Sequence, residues 1–162
     1  MTKSLTACRV DVIVEDMEWN RIAPDAPALA SACVCAIEEN GIALEGEAAL
    51  LLTTNAAMQD LNRRFRGKDA PTNVLSFPGA DGFLGDIAIG REICEAEALS
   101  DNIAPTDYLM HLIVHGLLHL AGYDHETDPD ADTMEQREAE ILTRLGAKSP
   151  YRLRKLDNEP VA

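Results

Sequence analysis

Three of the four histidines in this 162-residue chain stand in one short segment, His115-Gly-Leu-Leu-His119-Leu-Ala-Gly-Tyr-Asp-His125. On a helix His115 and His119 share one face, a single turn apart, so two imidazoles can reach one ion. Gly122 is able to take the left-handed conformation that ends a helix and reverses the chain, which returns His125 toward the first two. Three neutral nitrogen donors leave a fourth position open for water, the pattern of a catalytic zinc rather than a structural one, so one Zn²⁺ is expected. A single histidine on an apolar helix is ordinarily a satisfied core residue, but three converging at ligand spacing are not explained that way. His111 lies about 12 Å before His119 along a helix axis at ~1.5 Å per residue, too far to share an ion with both. It is assigned a supporting, hydrogen-bonding role.

The spacing H-x-x-x-H-x-x-G-x-x-H is that of a family of zinc proteases, which need Glu directly after the first histidine as general base. Gly116 occupies that place, so amide hydrolysis loses its usual proton acceptor and a peptidase falls behind. Three imidazoles without a carboxylate leave the ion its full charge. That suits an anionic substrate, with phosphodiesters the natural candidate. Arg66 could clamp a phosphate oxygen in two-pronged fashion, whereas Arg63 and Arg64 are read as solvating a helix end. No side chain stands out as a general base. Asp86 and Asp124 are candidates for support, Asp124 more simply as a turn cap.

These residues need elements to hold them. The helix carrying His111, His115 and His119 is expected from Pro105-Thr106 to Leu120 or Ala121, apolar almost all round. An amphipathic helix over 130–145, closed by Gly146, should follow. Upstream, strands are expected at 8–14, 48–53, 73–77 and 86–89, the last two joined by the Gly79-Ala80-Asp81-Gly82 turn. Helices are expected at 25–39, at 55–65 with Asn55 as cap and Gly67 as stop, and at 91–99. The fold class is therefore α+β: a small mixed sheet of about four strands packed by about five helices, with the metal site on the penultimate long helix. No repeat or linker divides residues 1–162, which read as one domain, with 147–162 a partly ordered polar tail.

Hydrophobic and charged fractions of 46% and 26% are those of a soluble globular protein. No run is long enough for a membrane span and no signal peptide is evident at the start, so a cytoplasmic protein is expected. Cys8, Cys33, Cys35 and Cys94 read as reduced thiols. A net charge of −14 argues against nucleic-acid binding over the whole surface. Half of the 14 basic residues, however, crowd into Arg63, Arg64, Arg66 and Lys68 and into Arg152, Arg154 and Lys155. The acids concentrate elsewhere, notably between Glu126 and Glu140, so a local basic site on an acidic body is compatible with the composition.

Three motifs in order, Leu61-Asn-Arg-Arg-Phe-Arg66-Gly-Lys-Asp-Ala-Pro-Thr-Asn-Val-Leu-Ser76-Phe-Pro78, Leu84-Gly-Asp86-Ile-Ala-Ile89, and Met110-His-Leu-Ile-Val-His115 through His125, resemble the YbeY family. The resemblance spans about residues 47–146. It implies an endoribonuclease, described also as a metal-dependent hydrolase, that matures the 3′ end of small-subunit ribosomal RNA and serves ribosome quality control. It implies zinc on His115, His119 and His125, a catalytic Arg66 facing the metal cleft, and Ser76 with the Gly85-Asp86-Ile87 strand lining or supporting that cleft. Ribosomal RNA and the ribosome or small-subunit factors are the implied partners, with no membrane. Phe65 stands where the family more often has Tyr, and the loop from Gly79 to Phe83 is brief. The competing readings are a metallopeptidase-like hydrolase and a non-enzymatic ribosome assembly factor with a metal-stabilised fold.

Overall fold

A computed structural model describes residues 8–150; the basic cluster at Arg152, Arg154 and Lys155, and all of the tail after residue 150, lie outside the described residues. The elements run β1 (Cys8–Val14), a 3-10 turn (Met17–Arg21), α1 (Ala26–Glu39), β2 (Gly46–Thr53), α2 (Asn55–Arg66), β3 (Val74–Pro78), β4 (Phe83–Gly90), α3 (Arg91–Ser100), α4 (Pro105–Leu120) and α5 (Asp128–Leu145). The strands form one sheet in the order β1-β2-β4-β3. β1, β2 and β4 are parallel, and β3 pairs antiparallel with β4. The architecture is the α+β arrangement of four strands and five helices expected above. Parallel neighbours need long crossovers, which α1 and the α2-β3 segment supply, whereas the tight turn after Pro78 can only produce an antiparallel pair.

Several boundaries differ from the sequence reading. Thr54, not Asn55, caps α2, its side chain accepting from the Ala57 N–H at 3.2 Å. Asn55 instead accepts from the backbone of Ile93 at 3.1 Å and so ties α2 to α3. β4 begins at Phe83 rather than Asp86 and β2 at Gly46, because Glu47 pairs with Phe83 across the sheet; strand ends follow partner hydrogen bonds, not residue preference. α5 starts at Asp128, with Thr127 accepting from Asp130 N at 3.2 Å. The 3-10 turn was not anticipated. It exists to bury Trp19 completely, with Nε1 donating to the Thr53 carbonyl at 2.9 Å.

Alternation along the central strands sorts the two faces. Leu50 and Leu52 of β2 stand beside Ile87 and Ile89 of β4 on the face covered by α1 and α4. Leu75 and Ala88 turn the other way, onto Met58 of α2. α4 is packed by α1, α3, α5 and the sheet. Its apolar residues, Leu109, Leu112, Ile113, Val114, Leu117 and Leu118, are accordingly all buried, each contributing about 1.5–3 kcal/mol relative to exposure. The cysteines are all free, and burial pushes the Cys33 and Cys94 thiols up to about 12, which leaves them inert at neutral pH.

α4 packs tightly on the sheet at Gly116, where an added Cβ would lie 3.0 Å from two side-chain carbons of Ile87. The residue after the first ligand-spaced histidine therefore faces the sheet, and any side chain there would have to displace Ile87 by a few tenths of an ångström. Gly116→Val should destabilise the fold by about 1–3 kcal/mol through overpacking, read as a lowered urea midpoint with an unchanged slope.

Candidate metal centre

His115 and His119 project from one face of the last turns of α4. The helix is closed at Ala121 by a Schellman arrangement: Gly122 N–H donates to His119 O and Tyr123 N–H to Leu118 O, both at 3.0 Å. Gly122 has φ +106°, a value that an L side chain rarely adopts. The reversal folds the following loop back over the helix end and delivers His125. One nitrogen from each of the three histidines lies within 4.8 Å of the other two. The His115 and His119 ring centroids are 4.7 Å apart, His119 and His125 5.0 Å, and His115 and His125 5.7 Å. His115 and His119 are half-buried and His125 is exposed, so the cluster opens to solvent on one side. Burial, reinforced by His115 and His125, holds His119 below the usual histidine pKa, which keeps it in the neutral form that ligates metal.

One residue decides how this cluster is held, and the sequence reading did not single it out. Glu138 of α5 is fully buried. Its Oε2 lies 2.7 Å from His115 Nδ1, and its Oε1 3.1 Å from His111 Nδ1. Burial alone would raise the pKa of this carboxyl, but hydrogen bonds from His111 and His115 outweigh it and the net shift is downward. An ionised carboxylate can only accept, so His115 donates from Nδ1 and its Nε2 carries the lone pair. Fixing a ligand histidine's tautomer and ring angle in this way is a recurrent feature of metal sites, and the donor set of three imidazoles fits a zinc ion. His111 belongs to the same buried carboxylate and packs edge-on against Tyr108, with ring centroids 5.2 Å apart. A signal for Glu138 was present: it falls on the apolar stripe of α5, with Met134, Ile141 and Leu142.

The histidines form one wall of a cleft of about 550 Å³ whose other wall includes Arg66, Asn73 and Ser76. Arg66, in the last turn of α2, reaches over β3. Its Nη2 donates to the Ser76 carbonyl at 2.8 Å, and its guanidinium carbon sits 5.1 Å from the Phe77 ring centroid. The Ser76 hydroxyl donates to the Gly116 carbonyl at 3.4 Å, bracing β3 against α4. Asp86 is not brought to this cleft. It pairs in register with Phe77 on the opposite face of the sheet and is exposed, because residues of a strand alternate sides. Its neighbours do support the cleft: Ile87 lies beneath Gly116, and a Cβ on Gly85 would come within 2.7 Å of Leu120. Asp124 accepts from Glu126 N at 3.3 Å as a turn residue. Arg63 and Arg64 both pair with Asp60 at the surface. Among the described residues that line the cleft there is no Asp or Glu.

Residues 15–146 match the family model described as Endoribonuclease YbeY. The proteins named Endoribonuclease YbeY from Azorhizobium caulinodans and Maricaulis maris are 45% and 43% identical to the chain. The first alignment covers 89% of this chain and 96% of the relative, the second 88% and 91%. A third, from Chelativorans sp., is 48% identical over 67% of this chain and 71% of its own. The solution structure of TM1509 from Thermotoga maritima superposes with a TM-score of 0.55 at 23% identity, covering 96% of this chain and 99% of that one.

Two outcomes follow from this geometry. Glu138→Gln should weaken zinc binding by roughly 10–100-fold, measured by competition with a chromogenic chelator. Zinc affinity should also fall as pH drops below the usual histidine range near ~6.5, because protons compete for the imidazoles. The depressed His119 pKa moves that histidine's share of the loss to lower pH, which a zinc titration at a series of pH values would resolve.

Proposed function

The chain belongs to the YbeY endoribonuclease family, and from that premise we propose that it is a zinc-dependent endoribonuclease cutting single-stranded RNA in the cleft between Arg66 and the three histidines. Its substrate in this reading is ribosomal RNA, at the 3′ end of the small-subunit species, and it takes part in ribosome quality control. Its partners are the ribosome or small-subunit factors, and its compartment is the cytoplasm. The family resemblance supports these finer assignments. For the described residues, no helix is long and apolar enough to cross a membrane.

The observation that carries the reading is the composition of the cleft. On a chain of net charge −14, the cleft that His115, His119 and His125 share with Arg66 is lined by no carboxylate among the described residues; Glu138 lies behind His115, and Glu97 and Asp101 line an adjoining pocket. That arrangement attracts a phosphodiester and gives a cationic peptide nothing to pair with. His115, His119 and His125 would hold the zinc, which when bound supplies a Lewis acid that polarises a phosphoryl oxygen. Glu138 keeps His115 oriented with Nε2 free, and the low pKa of His119 keeps that ligand neutral at working pH. Arg66 is anchored to the Ser76 carbonyl through one nitrogen, so its remaining N–H groups can bind a non-bridging phosphate oxygen and stabilise charge as the bond breaks. Leu75, Pro78 and Leu120 form apolar parts of the wall and limit water around the bound phosphate.

Arg66→Ala should lower RNA cleavage by about 10²–10³-fold while one zinc per chain remains bound. His119→Ala should lose both zinc and cleavage. Metal content measured beside cleavage of a fluorescent single-stranded RNA separates the two roles. Equal residual cleavage by wild type and both variants would sink the enzymatic reading, since it would come from a contaminant.

A further inference from the structure

Beyond the rim of the cleft, on the far side of β3, the end of α2 carries an exposed aromatic ring among cations. Phe65 is 60% exposed, although burying such a ring would ordinarily contribute about 1.5–3 kcal/mol. It is not loose: its ring stands edge-on to Phe77, with centroids 5.3 Å apart. Arg66, next in sequence, lies over the other contact surface of Phe77 and joins this patch to the cleft. Arg63 and Arg64 flank it with side chains 54% and 57% exposed, and Lys68 follows just after the helix. β3 is an edge strand, so nothing in the sheet blocks a chain from passing over it. Beside Phe65 a mostly apolar groove of about 410 Å³, bordered by Ile13, Leu51 and Leu61 with Asp86 at one side, leaves room for a planar group.

The geometry points to a strand path: RNA bound in the metal cleft crosses the sheet edge at Arg66 and stacks a base on Phe65, with Arg63 and Arg64 taking the flanking phosphates. This rests on the proposed function and extends it to where the substrate leaves the site. A π-face flanked by guanidinium groups is the feature that holds single-stranded nucleic acid without reading its sequence. Stacking is favoured here because Phe77 already fixes the ring, so little rotamer freedom is lost on binding. The exposed ion pairs of Arg63 and Arg64 with Asp60 are weak in water and can be exchanged for phosphate. The cations at the end of α2, Arg63, Arg64, Arg66 and Lys68, outnumber the nearby carboxylates Asp60, Asp69 and Asp86, which favours a polyanion along this track.

The test uses the zinc-loaded protein and a single-stranded 2′-O-methyl RNA carrying 2-aminopurine, with cleavage of an unmodified RNA followed in parallel. Phe65→Ala should weaken binding roughly tenfold, remove the 2-aminopurine quenching, raise KM with kcat little changed, and leave zinc content intact. Phe65→Trp should restore both affinity and quenching. Arg63→Gln and Arg64→Gln should each lower the salt slope of binding by about 0.7. Asp60→Asn should tighten binding by up to about fivefold by freeing both arginines. If wild type cuts RNA while Phe65→Ala binds and quenches as wild type does, the strand path is wrong and the enzymatic reading stands. If wild type neither binds nor cuts RNA, both fall together.

Discussion

A carboxylate with no solvent contact has to be answered by donors, and Glu138 is answered by two histidines of a neighbouring helix. Left unpaired, a buried charge of this kind would cost several kcal/mol, so the pairing fixes how α5 lies on α4. It also fixes the ring of His115 and, through His115, the direction of the metal cluster. His111, too far along the helix to join that cluster, has its place explained by the same carboxylate. The acidic, amphipathic helix α5 thus supplies the anchor of the histidine wall.

The second constraint is steric. α4 approaches the sheet so closely at Gly116 that Ile87 would meet any side chain there. This contact sets the depth of α4 against β4, and the Ser76–Gly116 hydrogen bond ties the opposite wall to the same point. The two walls of the cleft are therefore registered to each other through one glycine. The spacing shared with zinc proteases is retained, but Gly116 stands where those enzymes carry their catalytic glutamate, and a side chain there would press on Ile87. Similar ligand spacing accordingly serves different chemistry.

Charge is segregated by topology rather than by composition. The chain as a whole is strongly acidic, yet the walls of the cleft are free of carboxylates among the described residues, and Arg66 reaches it from the far side of the sheet edge. Strand alternation sends Asp86 to the opposite face, out of the histidine cleft and into the groove beside Phe65. An acidic protein can in this way present a local field suited to a polyanion.

The histidine spacing, the glycine reversal, the α+β class and the basic turn at Arg63–Lys68 were legible in the sequence, because each depends on neighbours within a few residues or on a periodicity of one element. The family resemblance was legible for the same reason, as its motifs are contiguous. Other features were not. Thr54 rather than Asn55 caps α2, and β4 begins at Phe83, because caps and strand ends are decided by partners elsewhere in the chain. Asp86 looked like part of the site because it sits in a motif, yet only the strand's register says which face its side chain takes. Glu138 was hidden for the opposite reason: its place on the apolar stripe of α5 was visible, but its partners lie 23 and 27 residues away. Sequence determined which groups could bind a metal. The tertiary packing decided which carboxylate orients them and which arginine faces them, since a side chain's role depends on what the fold sets within hydrogen-bond reach.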